Sequence, residues 1–253
     1  MVELAELLDY CERVLECGKF KDYCPNGLQL EAGSRVQRIC CGVTASQALI
    51  DRAVAIKADV LLVHHGFFWR GESPAITGVK AKRLATLMKH DINLIAYHLP
   101  LDAHPQLGNN AQLAKRFGFE VDGFFGRPGE TEIAMYGCLS DAMDSSRFAE
   151  HVANALDRQP LYIASAPNKK IERVAWCSGG AQSYFDLAID LGVDAFITGE
   201  ASEQNYHQAL EHGVDFIAAG HHATERYGVQ ALAEHLSQHF GLEYEYYEMS
   251  NPI

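Results

Sequence analysis

The chain has 253 residues, 48% hydrophobic and 21% charged, with 33 acidic against 21 basic side chains and a formal net charge of −12. That length buries a core without disulfide or metal staples, and the acidic balance disfavours a general affinity for nucleic acid, which needs lysines and arginines to displace counterions. No apolar run approaches the roughly 20 residues of a membrane span, and the opening MVELAELLDYCERVLE lacks the basic start and apolar block of a signal peptide.

A cytoplasmic protein is therefore expected, and its 7 cysteines fit that compartment. They include no CxxC pair and suggest small reduced core residues rather than a disulfide framework or a zinc knuckle. In chain order, the first element is a helix with Leu4, Leu7, Leu8, Cys11, Val14 and Leu15 at helical spacing. Next comes VQRICCGVTASQALIDRAVAIKADVLLVHH (36–65), which aligns without a gap to IERVAWCSGGAQSYFDLAIDLGVDAFITGE (171–200). Arg38/Arg173, Gln47/Gln182, Asp51/Asp186, Ala53/Ala188 and Asp59/Asp194 are identical, and apolar positions match nearly throughout.

Each copy reads as a βαβ unit: a strand, a turn of small residues, an amphipathic helix and a continuous apolar strand. Such strands are buried on both faces in parallel sheets. Each copy is extended by a helix and another apolar strand, within 90–104 and 212–225. Between them, 120–168 reads as strand (TEIAMYGCL), helix (Ser145–Leu156, capped by Ser145 or Ser146) and strand (LYIAS). The expected class is α/β: two related lobes from an internal duplication, at 1–125 and 169–253. A small α+β segment (126–168) connects them, and the C-terminal helix and strand can pack back on the first lobe. The turns GVTAS (42–46) and SGGAQ (178–182) open helices and are read as tight βα turns rather than anion sites. Lys80, Lys82 and Arg83, like His235 and His239, are read as solvated helix faces.

Four apolar strands end in ionisable side chains. VLLV leads to His64 and His65, LIAY to His98 and then Asp102, AFITG to Glu200, and FIAAG to His221, His222 and then Glu225. Ligands bind at the carboxyl ends of strands in open α/β sheets, and imidazoles with carboxylates are the donors for zinc, iron, manganese or nickel. Adjacent residues of a strand point to opposite sides, so His64 and His65 suit two ions better than one. Dinuclear hydrolytic sites hold their metals roughly 3.5–4 Å apart. A carboxylate is the natural bridge, and the i, i+4 spacing of His221 and Glu225 brings both to one face. Asp102 completes the donor set, with water in the open positions that catalysis needs. Glu200 and His207 are read as groups that orient ligands or move protons.

The stretches DYCPNGLQLE, GVTAS, VHHGFFW, YHLPLDAH, GNNAQLA, ITGEASEQ and AGHHATE resemble the NIF-three-like family, whose members carry the label GTP cyclohydrolase 1 type 2 homologue. The resemblance runs from about Asp22 to the C-terminus and is to the short form of the family. It implies a dinuclear site in a cleft between the lobes, and a ring-shaped homohexamer. Carried over residue by residue, the metal ligands are His64, His65, Asp102, His221 and Glu225, with Glu225 bridging. His98 lies in the same pocket and, with Glu225, is a candidate catalytic residue.

Two divalent ions outweigh the Asp102 and Glu225 carboxylates, so the centre favours anionic substrates, including nucleotides and phosphate esters. Phe67, Phe68 and Trp69 are expected either to stack a base or to serve the core or a subunit interface. A metal-dependent hydrolase is the leading reading; a non-enzymatic metal-loaded ring linked to DNA damage protection is the alternative. A dinucleotide-dependent oxidoreductase is set aside because neither turn has the GxGxxG pattern.

Overall fold

Leu4, Leu7, Cys11 and Leu15 form the buried stripe of the first helix, Leu4–Leu15, which ends at Glu16 in the left-handed conformation. This helix opens a computed structural model that describes residues 1–253. The chain divides into two compact units, Met1–Gly108 with Gly228–Ser250, and Asn109–Tyr227 with Asn251–Ile253.

The first unit contributes β1 (Val2–Glu3), β2 (Gly27–Leu30), β3 (Arg35–Val36), β4 (Arg38–Thr44), β5 (Val60–His65) and β6 (Asn93–Ala96). β4, β5 and β6 run parallel, with Ile39 opposite Val60 and Leu61 opposite Leu94. Their unbroken apolar runs are buried on both sides, as parallel strands between helices require. The helix Gln47–Ala55 is capped by Ser46, whose hydroxyl accepts from the Leu49 N–H, which is the turn role expected for GVTAS. Asp59 fixes the register where β5 begins: one carboxylate oxygen accepts from the N–H groups of Gln37 and Arg38 at 2.8 and 2.9 Å.

The second unit holds β7 (Phe119–Phe125), β8 (Ala134–Asp144), β9 (Leu161–Ile163), β10 (Lys170–Trp176), β11 (Ala195–Thr198) and β12 (Asp215–Ala218), in the order β7-β8-β10-β11-β12-β9. β10, β11 and β12 are parallel, with Val174 opposite Ala195. That is the register of Ile39 and Val60 at the matching positions. Asp194 repeats the role of Asp59, accepting from the N–H groups of Glu172 and Arg173 at 3.0 and 2.9 Å. Trp176 is fully buried and donates its indole N–H to the Asn110 carbonyl.

The boundaries differ from those expected. Residues 126–168 are no separate connection: β8 pairs with β10 and β9 with β12, so they belong to the second sheet. Residues 228–250, whose helix and strand the sequence allowed to pack back on the first lobe, lie in the first unit: Val229, Leu232 and Leu236 of the helix Arg226–Phe240 enter its core, and β13 (Glu243–Tyr246) runs parallel to β4. The helix Ser145–Leu156 starts where expected, but its N-cap is Asp144 rather than a serine. His235 is not a purely solvated residue either: Tyr10 bonds its Nε2 at 2.7 Å and stacks on His239. No helix is long and apolar enough to cross a membrane.

Candidate metal centre

In the first unit the site begins where β5 ends. His64 is fully buried and His65 half-buried, their ring centroids 4.7 Å apart. The His64 Nδ1 lies 2.8 Å from the Tyr97 carbonyl. A carbonyl only accepts, so Nδ1 carries a proton. Nε2 is left facing the Asp102 carboxylate at 3.6 Å, where a positive charge, whether a second proton or a metal ion, is held between them. The His65 Nδ1 lies 3.3 Å from the Thr44 hydroxyl. Asp102 follows one turn into the short helix Leu99–Ala103, which begins at His98 and has Pro100 in its first turn, where a missing N–H costs nothing. Donor atoms of His64, His65 and His98 lie within 4.8 Å of one another.

Asp22 fixes His98. Its Oδ1 accepts from the His98 ring at 2.7 Å and from the Tyr23 N–H at 2.6 Å; Oδ2 accepts from the Leu99 N–H at 3.0 Å and the Asn26 amide at 2.8 Å. Asn26 in turn accepts from the His98 N–H at 2.7 Å. Burial by itself would raise the Asp22 pKa, but the bonds from His98, Asn26 and the Tyr23 N–H outweigh it and hold the carboxyl at about 2. Cys24 lies near this pair, yet burial, aided by the Asp22 charge, pushes its thiol up to about 12.

In the second unit, His221 and Glu225 face each other with Nε2 to Oε1 at 3.2 Å, and the His221 Nδ1 meets Glu200 at 2.6 Å. Burial disfavours the imidazolium, but the Glu225 and Glu200 carboxylates more than offset it and raise the His221 pKa to about 9. A ring between two carboxylates holds a positive charge there, whether a proton or a metal ion at Nε2. Glycine makes the room. Gly179 has φ +65°, and a Cβ there would come within 2.1 Å of the Glu225 Oε1. At Gly199 a Cβ would come within 2.6 Å of the Gly179 carbonyl and 2.7 Å of the His221 Cα. Gly179 of SGGAQ thus leaves the room that the Glu225 carboxylate occupies.

The donors suit a borderline divalent ion such as zinc, iron, manganese or nickel. The expected residues fall into two sets, His64, His65, His98 and Asp102 in one unit, and Glu200, His221 and Glu225 in the other. His207 stands apart, paired with Glu203 on an exposed helix face. His222 is buried, and its N–H donates to the Ile253 carbonyl. Of the three aromatics after His65, Phe67 and Phe68 pack into the core, while Trp69 meets His65 and His98. Sequence reasoning missed Asp22, Asn26, the Tyr97 carbonyl and Thr44 as orienting groups. DYCPN was visible as a motif, but its partner His98 is 76 residues away.

Imidazoles and carboxylates at the carboxyl ends of parallel strands, in two α/β units, define an α/β protein with a candidate metal centre. The sequence model of Duf34/NIF3 (NGG1p interacting factor 3) matches residues 2–252, and the chain belongs to that family. It is 52% identical over 251 residues to the GTP cyclohydrolase 1 type 2 homolog of Pseudomonas aeruginosa, covering 99% of each chain. Among solved structures, it resembles protein ybgI, described as of unknown function, with a TM-score of 0.95, 47% identity and full coverage of both chains. TTHA1606 from Thermus thermophilus matches with a TM-score of 0.87 and 32% identity, again over the whole of both chains.

Proposed function

We propose that the chain holds two divalent ions on His64, His65, Asp102, His221 and Glu225, with Glu225 bridging, and works as a metal-dependent hydrolase on a nucleotide or another small anionic substrate. The observation that carries this reading is His64: its Nδ1 is committed to the Tyr97 carbonyl, and its Nε2 lies 3.6 Å from Asp102. When bound, such ions would lower the pKa of a water toward neutrality and polarise the substrate.

The chain's own groups prepare that chemistry. The Tyr97 carbonyl and Glu200 keep one nitrogen of His64 and His221 engaged, so each ring presents the other. Asp22 does the same for His98, which makes His98 the candidate to take or give a proton. The name carried by the Pseudomonas aeruginosa relative makes GTP the first substrate to try.

The matching registers of β4 with β5 and of β10 with β11, and the matching roles of Asp59 and Asp194, support an internal duplication. A ring-shaped homohexamer, which rests on family likeness, and a cytoplasmic setting, which rests on the free cysteines, complete the reading.

The test is metal content, followed by turnover of a nucleotide panel that includes GTP, for the native chain and Glu225→Gln. Bound metal and product, both lost in the variant, are expected. Metal without turnover of any nucleotide would move the reading to a non-enzymatic metal-loaded ring. A chain that takes up no divalent metal would sink both.

A further inference from the structure

We propose that Tyr23, Trp69 and Arg70 form a subsite that takes the flat heteroaromatic ring of a mononucleotide beside the imidazoles of the first unit. It deepens the hydrolase reading by naming what would recognise the substrate, and it rests on that reading only for the neighbouring ions.

The aromatics after His65 separate sharply in fate. Phe67 and Phe68 pack on the core that contains Leu61, Leu84 and Leu94. The backbone then turns through Phe68 at φ +66°, a strained conformation for a bulky residue and one that clusters at functional sites. That turn brings Trp69 to the site. Its ring lies 5.7 Å from His65 and 5.0 Å from His98, at 63° and 87°, so both contacts are edge contacts rather than stacks.

Tyr23 also meets His98, 6.3 Å from its ring, and is 54% exposed. Arg70 joins the two loops. Its N–H donates to the Tyr23 carbonyl, its guanidinium donates to the Asp22 carbonyl, both at 2.7 Å, and the guanidinium lies 5.6 Å from the Tyr23 ring centre. Asp22 in turn holds His98, so the aromatic pair, the arginine and the imidazole are tied through one short segment.

Large aromatics are normally spent on the core. Here a half-buried tryptophan and an exposed tyrosine flank an imidazole that sits among candidate ligands. Every base has a π-face to stack on such rings. A guanidinium has five N–H donors in a planar fork, and only one bond to Asp22 is used in holding the loop, so Arg70 suits an anionic group attached to the ring. A ring bearing a phosphate answers both features. With a net charge of −12, a mononucleotide fits better than a nucleic-acid strand.

The test uses the full-length, metal-loaded protein. The chain has 2 tryptophans, and Trp176 is fully buried in the second unit, so Trp69 reports on ligands near the site. GMP and AMP should change the emission saturably and ribose 5-phosphate should not, with the response gone in Trp69→Phe. By calorimetry, Trp69→Leu should weaken GMP about tenfold. Arg70→Gln should weaken GMP by a larger factor than guanosine, because guanosine lacks the phosphate that the guanidinium would hold. Both variants should keep native metal content, which separates a failed subsite from a failed metal centre. Equal affinity for ribose 5-phosphate and GMP, or unchanged GMP affinity in Trp69→Leu, would overturn the proposal. So would a single-stranded oligonucleotide binding ahead of GMP. GMP binding through Trp69 in a chain that holds no metal would leave the subsite standing and the hydrolase reading fallen.

Discussion

The two βαβ segments, Arg38–His65 and Arg173–Glu200, share a scaffold and differ at the tips. Both set the register of their first two strands with an aspartate that accepts two backbone N–H bonds, Asp59 in one and Asp194 in the other. Both add a third parallel strand and an antiparallel neighbour beyond it, β2 against β6 and β9 against β12. At the strand ends the likeness stops. Where the first segment has His64 and His65, the second has Gly199 and Glu200. Where the first has Thr44, whose hydroxyl meets His65, the second has Gly179, whose missing side chain leaves room for Glu225. The features that set register are shared, and those that set chemistry are not. A residue's role here follows from its position along the strand, not from the fold around it.

The comparison breaks most visibly if the second tip is given the first tip's residue. Gly179→Thr puts a β-branched side chain at φ +65° on top of the Glu225 carboxylate. It should cost of order 1–3 kcal/mol in backbone strain and strip bound metal from the purified protein, read by urea unfolding and elemental analysis. Full metal content in this variant would show that the room left by Gly179 is not needed.

The shared feature is sharpened by a matched pair. Asp59→Ala and Asp194→Ala each remove a carboxylate that takes two N–H bonds, and each should destabilise its unit by about 2–3 kcal/mol. A loss in one and none in the other, by hydrogen exchange in the two sheets, would end the equivalence.

Asp22 lies outside both segments, and Asp22→Asn should cost about 2 kcal/mol, from the difference between 3.8 and about 2. Because the folded pKa is the lower one, that stabilisation is present above about pH 4. It disappears as the pH falls from 3.8 toward 2. The gap in unfolding free energy between native and variant should therefore close in acid; a gap that widens would contradict the assignment.

The smallest effects concern the groups that orient the imidazoles. Glu200→Gln should weaken metal about tenfold. Thr44→Val should weaken it less, since the bond it removes is long at 3.3 Å. Metal titration with a competing chelator orders the two, and the reverse order would mean that Glu200 does not position His221.

Much of this was legible in the sequence because strands and their ends are local. Continuous apolar runs marked β4, β5, β6, β11 and β12, and the ionisable residues that follow the last four supply the candidate site. The family was legible from short motifs for the same reason. Pairing between distant strands was not: nothing in TEIAMYGCL says that it lies beside β10, or in EYEY (243–246) that it joins β4. The orienting groups were hidden differently. Tyr97 acts through its carbonyl, which side-chain identity does not encode. Asp22 looked like one acid among 33 until four bonds converged on it. His235 looked like a solvated residue because its partner, Tyr10, lies 225 residues away.

The interleaving of the two units has a consequence for synthesis. All of the second unit's sheet lies within Asn109–Tyr227, so it can close while the ribosome is still at work. The first unit's core needs Val229, Leu232, Leu236 and Leu242, which leave the ribosome after that sheet. Until then β4 lacks its β13 neighbour, and the apolar face of Leu4–Leu15 lacks part of its cover. The half made first is therefore finished last, and it is the half that a chaperone would have reason to hold.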